Sequence, residues 1–190
     1  EEKLLGLIKT EISALKETYA DARRTELLPA GDDILLEDLI EKHDCVVTMT
    51  KSGYIKRLPA DTYSAQHRGG KGIVGMATKE TDLVETVMVV HSHSDLLFFT
   101  NAGRVFVKKA YQIPESGRTS KGQNLVNILE LSADEKVTTA ISIDSYDAAF
   151  SLDMITKYGV IKRTSLSEFE YCRRGGKIAI TLDEGDELLY

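Results

Sequence analysis

This 190-residue sequence predicts an all-β fold of propeller-type blades, preceded by one amphipathic helix. Three observations lead there. A block recurs three times without gaps, each copy reads as a β-hairpin closed at a glycine, and a helical period is confined to the first 28 residues.

The N-terminal element comes first. Leu5, Ile8, Ile12, Leu15 and Tyr19 are spaced alternately three and four apart, which lays an apolar seam along one face of a helix of about five turns. Such a seam asks for a second helix. Arg23-Arg24-Thr25 closes the element, and Pro29-Ala30-Gly31-Asp32-Asp33 reads as a linker. The expected division is therefore a helical tail over 1–28 and a β domain over 29–190.

The repeats follow. Thr50-Lys51-Ser52-Gly53-Tyr54-Ile55-Lys56-Arg57, Thr100-Asn101-Ala102-Gly103-Arg104-Val105-Phe106-Val107 and Thr156-Lys157-Tyr158-Gly159-Val160-Ile161-Lys162-Arg163 align position for position. Each places its glycine where a tight turn between strands needs positive φ. In the same register Arg68, Arg118 and Arg174 follow, and then Lys71, Lys121 and Lys177. Further β-rich runs, Thr86–His91 and Val137–Ile143, precede the second and third hairpins. About four short strands per repeat make one blade, and the C-terminal Asp186-Glu187-Leu188-Leu189-Tyr190 resembles the start of another. Three blades cannot close a ring of roughly four to eight. The chain opens Glu1-Glu2-Lys3, without an initiator methionine or a leader pattern, and is expected to be a piece of a longer protein.

Charge is distributed by position in the repeat. The net charge is −6, yet residues 51–72, 104–121 and 157–177 each carry a net +4 and everything between them is acidic. Placed at one site per blade, these cations would line a curved basic track, which suits a bent phosphate backbone. In Gln66-His67-Arg68-Gly69-Gly70-Lys71-Gly72, glycines allow close backbone approach while Arg68 and Lys71 supply charge. Such a loop positions nucleic acid without reading bases.

Other chemistries lack support. Gly70-Lys71-Gly72-Ile73-Val74-Gly75 matches G-x-G-x-x-G but lacks the strand before it and the helix after it. No P-loop and no G-x-S-x-G occurs. His91-Ser92-His93-Ser94-Asp95 has metal-like spacing without a third strong ligand nearby, and reads as a strand-end loop. Cys45 and Cys172 form no CxxC and read as packed hydrophobes in a reducing, cytoplasmic setting.

On the 66–72 box, and on Gly53-Tyr54-Ile55-Lys56-Arg57-Leu58-Pro59 and Phe98-Phe99-Thr100-Asn101-Ala102-Gly103-Arg104-Val105, the sequence resembles the C-terminal domain of the DNA gyrase A family. That family's box has the form Gln-Arg/Lys-Arg-Gly-Gly-Arg/Lys-Gly. The match holds at Gln66, Arg68, Gly69, Gly70, Lys71 and Gly72 and departs at His67, where a permanent cation is usual. Gly117-Arg118-Thr119-Ser120-Lys121-Gly122 and Arg173-Arg174-Gly175-Gly176-Lys177 resemble its degenerate boxes.

The resemblance implies about three blades of a six-bladed β-pinwheel, a propeller variant in which blades exchange strands. It implies that 1–28 is the coiled-coil tail of a cleavage core. It also implies non-sequence-specific, chiral wrapping of double-stranded DNA in support of negative supercoiling, with the box closing the ring and holding the wrap. The expected partners are gyrase B and a second copy of gyrase A, in an A2B2 assembly of the bacterial cytoplasm, with no membrane. The family's cleavage tyrosine follows an arginine, and no tyrosine here does. This segment is therefore expected to be non-catalytic and to hold no cofactor, with ATP and Mg2+ used elsewhere in the enzyme. The expected phosphate contacts are Lys56, Arg57, Arg68, Lys71, Arg104, Lys108, Lys109, Arg118, Lys121, Lys162, Arg163, Arg173, Arg174 and Lys177. Since neighbouring strand residues point to opposite faces, one of Lys56 and Arg57 is expected to do most of the work. The alternatives are the topoisomerase IV counterpart, which shares the blades but generally lacks an intact box, and a protein-binding propeller.

Overall fold

A computed structural model describes residues 2–22, 24–25, 36–62 and 82–190. It divides into two compact units, Glu1–Leu35 and Leu36–Tyr190. In the first, helix α1 spans Glu2–Tyr19, with Glu2 in its first turn and Lys16 in its last, a charge order that suits the helix dipole. None of its residues is buried, and Leu5, Ile8, Ile12, Leu15 and Tyr19 all lie open to solvent.

Among the described residues, the second unit forms three antiparallel sheets. The first hairpin is β1 (Asp44–Thr50) and β2 (Tyr54–Pro59), and β3 (Val84–His91) follows. The second hairpin is β4 (Asp95–Thr100) and β5 (Arg104–Lys109), and the third is β8 (Ser151–Ile155) and β9 (Ile161–Ser165). Between them lie the two-residue β6 (Gln123–Asn124) and the longer β7 (Val137–Ile143), and β10 (Lys177–Ile178) comes last. The turn glycines Gly53, Gly103 and Gly159 have φ of 79°, 73° and 86°, the conformation their spacing predicted.

One repeat is not one blade. The sheet orders are β3-β1-β2-β6 and β10-β5-β4-β7, with β8-β9 as a pair. The first two hairpins are thus each flanked by two strands from later in the chain. The long strand pairs with the hairpin's first strand, as Val46 with Val89 and Leu97 with Ile141. A short strand pairs with its second, as Ile55 with Gln123 and Val105 with Lys177. The third hairpin meets the chain end in the same way through the bridge from Thr156 to Leu188. Strand exchange, expected from the resemblance alone, is therefore present.

The pairing also corrects the gap-free alignment beyond the hairpins. Because Ile55 faces Gln123 and Val105 faces Lys177, Gln123 and Lys177 are equivalent, and so are Gly122 and Gly176. Lys121 therefore matches Gly175 rather than Lys177, and Thr119 and Ser120 match Arg173 and Arg174. The connecting loop is two residues shorter in the third repeat. Gly122 (φ 77°) is required here, because a Cβ would stand 2.4 Å from the Ile55 carbonyl oxygen.

The core sits between the sheets. Cys45, Val47 and Met49 of β1 pack with Leu96 and Phe98 of β4 and with Phe106. The alternate β4 residues Leu97 and Phe99 join Val105, Met154, Leu166, Phe169 and Leu188 in a second cluster. The second sheet is covered on both faces, which is why β4 reads as an unbroken apolar run. Cys45 lies in this core and its thiol donates to the Val90 carbonyl. The His91 and His93 rings lie 5.7 Å apart, and His93 bonds to Ser92 and to the Glu37 carbonyl.

Candidate nucleic-acid interface

The expected phosphate contacts fall into three groups. The first is built into the fold. Lys56, with a relative exposure of 0%, donates from Nζ to the carbonyls of Gly117, Arg118 and Ser120 at 3.2, 2.6 and 3.0 Å. Burial pulls its ammonium below the ordinary lysine pKa. Arg57 is also buried and donates to the Ile113 carbonyl and to His43 Nε2, with Glu115 at 3.4 Å. The expectation that one of this pair faces DNA is overturned. Strand alternation does send them to opposite faces, but the returning loop of the next repeat wraps the edge of β2 and takes both.

Arg104 is committed as well. It meets Glu135 at 2.7 Å, donates to the Gly175 carbonyl and lies 4.7 Å from the Phe106 ring. Unlike Lys56 it keeps some exposure, but its guanidinium is engaged by Glu135 and the Gly175 carbonyl rather than presented to a phosphate.

The second group is half or fully exposed but partnered. Lys109 bonds to the His93 carbonyl, with Asp95 at 3.3 Å and Glu37 at 3.7 Å. Arg163 forms a two-pronged pair with Asp153 at 2.7 and 2.8 Å, which holds that carboxyl below its ordinary pKa. Both groups face water, so the pair adds little stability. Lys162 donates to the Ala179 carbonyl and Lys177 to that of Glu168.

The third group is held less tightly. Arg118 and Arg173 are exposed and Lys108 is half-exposed, and none has an acidic partner among the described residues. Arg174 is exposed and loosely tied to Glu130 at 3.2 Å. Lys121 Nζ lies 3.4 Å from the centre of the Tyr54 ring. Arg118 and Lys121 sit on the loop that returns to the first sheet, and Arg173 and Arg174 on the loop that returns to the second. Gln66, His67, Arg68, Gly69, Gly70, Lys71 and Gly72 lie outside the described residues.

One recurring set was missed from the sequence. Thr50, Thr100 and Thr156 are buried at the hairpin tips, and each hydroxyl accepts from the backbone N–H of Tyr54, Arg104 or Val160. A buried acid meets each tip. Asp82 accepts from Ser52 N, Asp186 from Tyr158 N, and Glu135 from the Thr100 hydroxyl. The threonines were aligned, but the acids sit at unequal distances from them, so a gap-free comparison could not find the partners.

Burial pushes the Asp82 and Asp186 carboxyls up. The hydrogen bonds from Ser52 and Thr50, and from Thr156, Tyr158 and Glu187, outweigh it and hold both below the ordinary carboxylate value. A depressed native pKa means that this stability is present above the unfolded value of about 4 and is lost as pH falls through the native one. The urea midpoint is expected to drop as pH is lowered from about 5 to 2. Asp82→Asn with Asp186→Asn should flatten that limb, and an unchanged acid limb would discount the tips.

Sheets linked by exchanged strands, the first two each carrying a basic returning loop, define a β-propeller of the pinwheel type. The model for "DNA gyrase C-terminal domain, beta-propeller" matches residues 46–91, 94–144 and 154–190, and the chain belongs to that family. The chain is 47% identical over its whole length to the DNA gyrase A protein of Clostridium acetobutylicum, of which it spans 23%. It is similar to the solved C-terminal domain of DNA topoisomerase IV (27% identity, TM-score 0.68), over 80% of this chain and 46% of that one. It is also similar to a gyrase A C-terminal domain (27% identity, TM-score 0.60), over 77% of this chain and 46% of that one.

Proposed function

We propose that this segment binds double-stranded DNA without base specificity and wraps it along the returning loops, as part of a gyrase that introduces negative supercoils. One observation carries the reading: consecutive blades present cations on loops that occupy equivalent places, exposed Arg118 with half-exposed Lys121 and then exposed Arg173 and Arg174. Arg68 and Lys71 would extend the same series. Bending even 20–30 bp by 40–90° costs about 1–6 kcal/mol, so several phosphate contacts must act together.

The equivalent segments of the second and third repeats carry their edge strands back to the preceding blade. That is the connectivity a box that closes a ring would need. The wrapped segment is proposed to act beside gyrase B in an A2B2 assembly of the bacterial cytoplasm, with ATP and Mg2+ handled elsewhere and the α1 seam meeting a second helix.

Salt titration tests the reading. In the full-length protein, Arg118→Ala, Lys121→Ala, Arg173→Ala and Arg174→Ala together should lower the slope of log affinity against log salt by about 3–4, near 0.9 for each phosphate contact. A slope equal to the parent's would refute the basic track.

A second reading is the topoisomerase IV counterpart, favoured by the higher TM-score to that solved domain. The 66–72 box argues for gyrase. The full-length enzyme with its partner protein decides, since supercoiling of relaxed plasmid supports gyrase and relaxation without supercoiling supports the other.

A further inference from the structure

Resting on that reading, we infer that Lys56 is a positioning residue that shapes the DNA-facing loop of the next repeat. The loop is bracketed by β2 at both ends. The Arg57 amide donates to the Pro114 carbonyl and the Ser116 amide to the Arg57 carbonyl, while Gln123 and Asn124 pair with Ile55 and Tyr54. Between these clamps the chain bows outward around the Lys56 ammonium. Its Gly117, Arg118 and Ser120 carbonyls converge on Nζ, an ammonium has three donors, and all three are used. With these carbonyls turned inward, the Arg118 side chain is left exposed.

The second sheet meets the same demand with different residues. Phe106 stands where Lys56 does, and its ring closes on Gly176, where a Cβ would lie 2.9 Å away. Arg104, over that ring, takes the Gly175 carbonyl. In both blades a cation rooted in the hairpin of one repeat holds the loop that carries the next repeat's exposed arginines, by three carbonyls in the first and by one in the second. A cation spent on the protein thus sets where the exposed ones stand, without touching DNA.

The test is a double-mutant cycle on DNA binding by the full-length protein, with melting temperature recorded for each variant. Arg118→Ala/Lys121→Ala should weaken binding about tenfold at moderate salt and lower the salt slope by about two. Lys56→Met should lower the slope by a similar amount, and adding it to the loop variant should cost almost nothing further. A role confined to stability would lower the melting temperature and leave the slope intact, and that result overturns the inference.

Additive losses also overturn it, while leaving the track in place. A loop variant that binds like the parent overturns the track and this inference together. Should Lys56→Met not fold, the second blade decides by the same criteria. There Arg104→Met/Glu135→Gln, which removes both charges of that pair, is cycled against Arg173→Ala/Arg174→Ala.

Discussion

Arg68→Ala with Lys71→Ala in the full-length protein, assembled with its partner, is expected to abolish negative supercoiling and to spare relaxation and decatenation. The reason is the difference in what each reaction asks of the DNA. Relaxation needs a cleavable segment and a second one to pass. Supercoiling of fixed sign needs that second segment delivered from one side, which requires the duplex to be held bent. A bend costing several kcal/mol is held only while enough phosphates are neutralised, and glycines beside Arg68 and Lys71 would let the backbone come close to a phosphate. Plasmid supercoiling on agarose gels reads the outcome. Undiminished supercoiling in the double variant would remove the box from the mechanism.

The second large effect is on stability. Arg104→Met should destabilise the β unit by about 2–3 kcal/mol, at or below the foot of the roughly 3–5 kcal/mol range for breaking a fully buried ion pair, because the Arg104 side chain keeps 26% of its exposure. Glu135 has a side-chain exposure of only 2% and meets the guanidinium at 2.7 Å, so its carboxylate would be left buried without its cation. The Thr100 hydroxyl and the Ser132 amide still donate to it, which moderates the loss. Adding Glu135→Gln removes the stranded charge and should recover most of the deficit. Denaturant midpoints measure both variants. An Arg104→Met midpoint within error of the parent's would mean that the pair contributes nothing.

Much of the fold is legible before any coordinates. Thr-x-x-Gly at three matching places marked three hairpins because a tight turn with positive φ nearly demands glycine. The four apolar residues Leu96–Phe99 lie in β4, the strand that ends up covered on both faces. What strands pair with was not legible from local pattern. Thr86–His91 reads as a partner of the hairpin it precedes, yet β3 pairs with β1 of the repeat before. The 3-residue turn between β3 and β4 suits either a hairpin or a passage between sheets, and alternation within a strand does not distinguish them.

The cations divide in the same way. Sequence alone determined that basic residues cluster in each repeat, that glycines accompany them and that acids fill the rest, because composition and spacing are properties of the string. Only the tertiary structure decided which cations remain available. Lys56 and Arg57 look like the most strongly basic pair of the first hairpin, and both are enclosed by a loop some 60 residues onward. Arg118 and Arg173 stay in water, the first of them on a loop whose carbonyls face inward. A charged side chain loses or keeps its solvent according to what the chain lays over it later, and that is decided by long-range pairing.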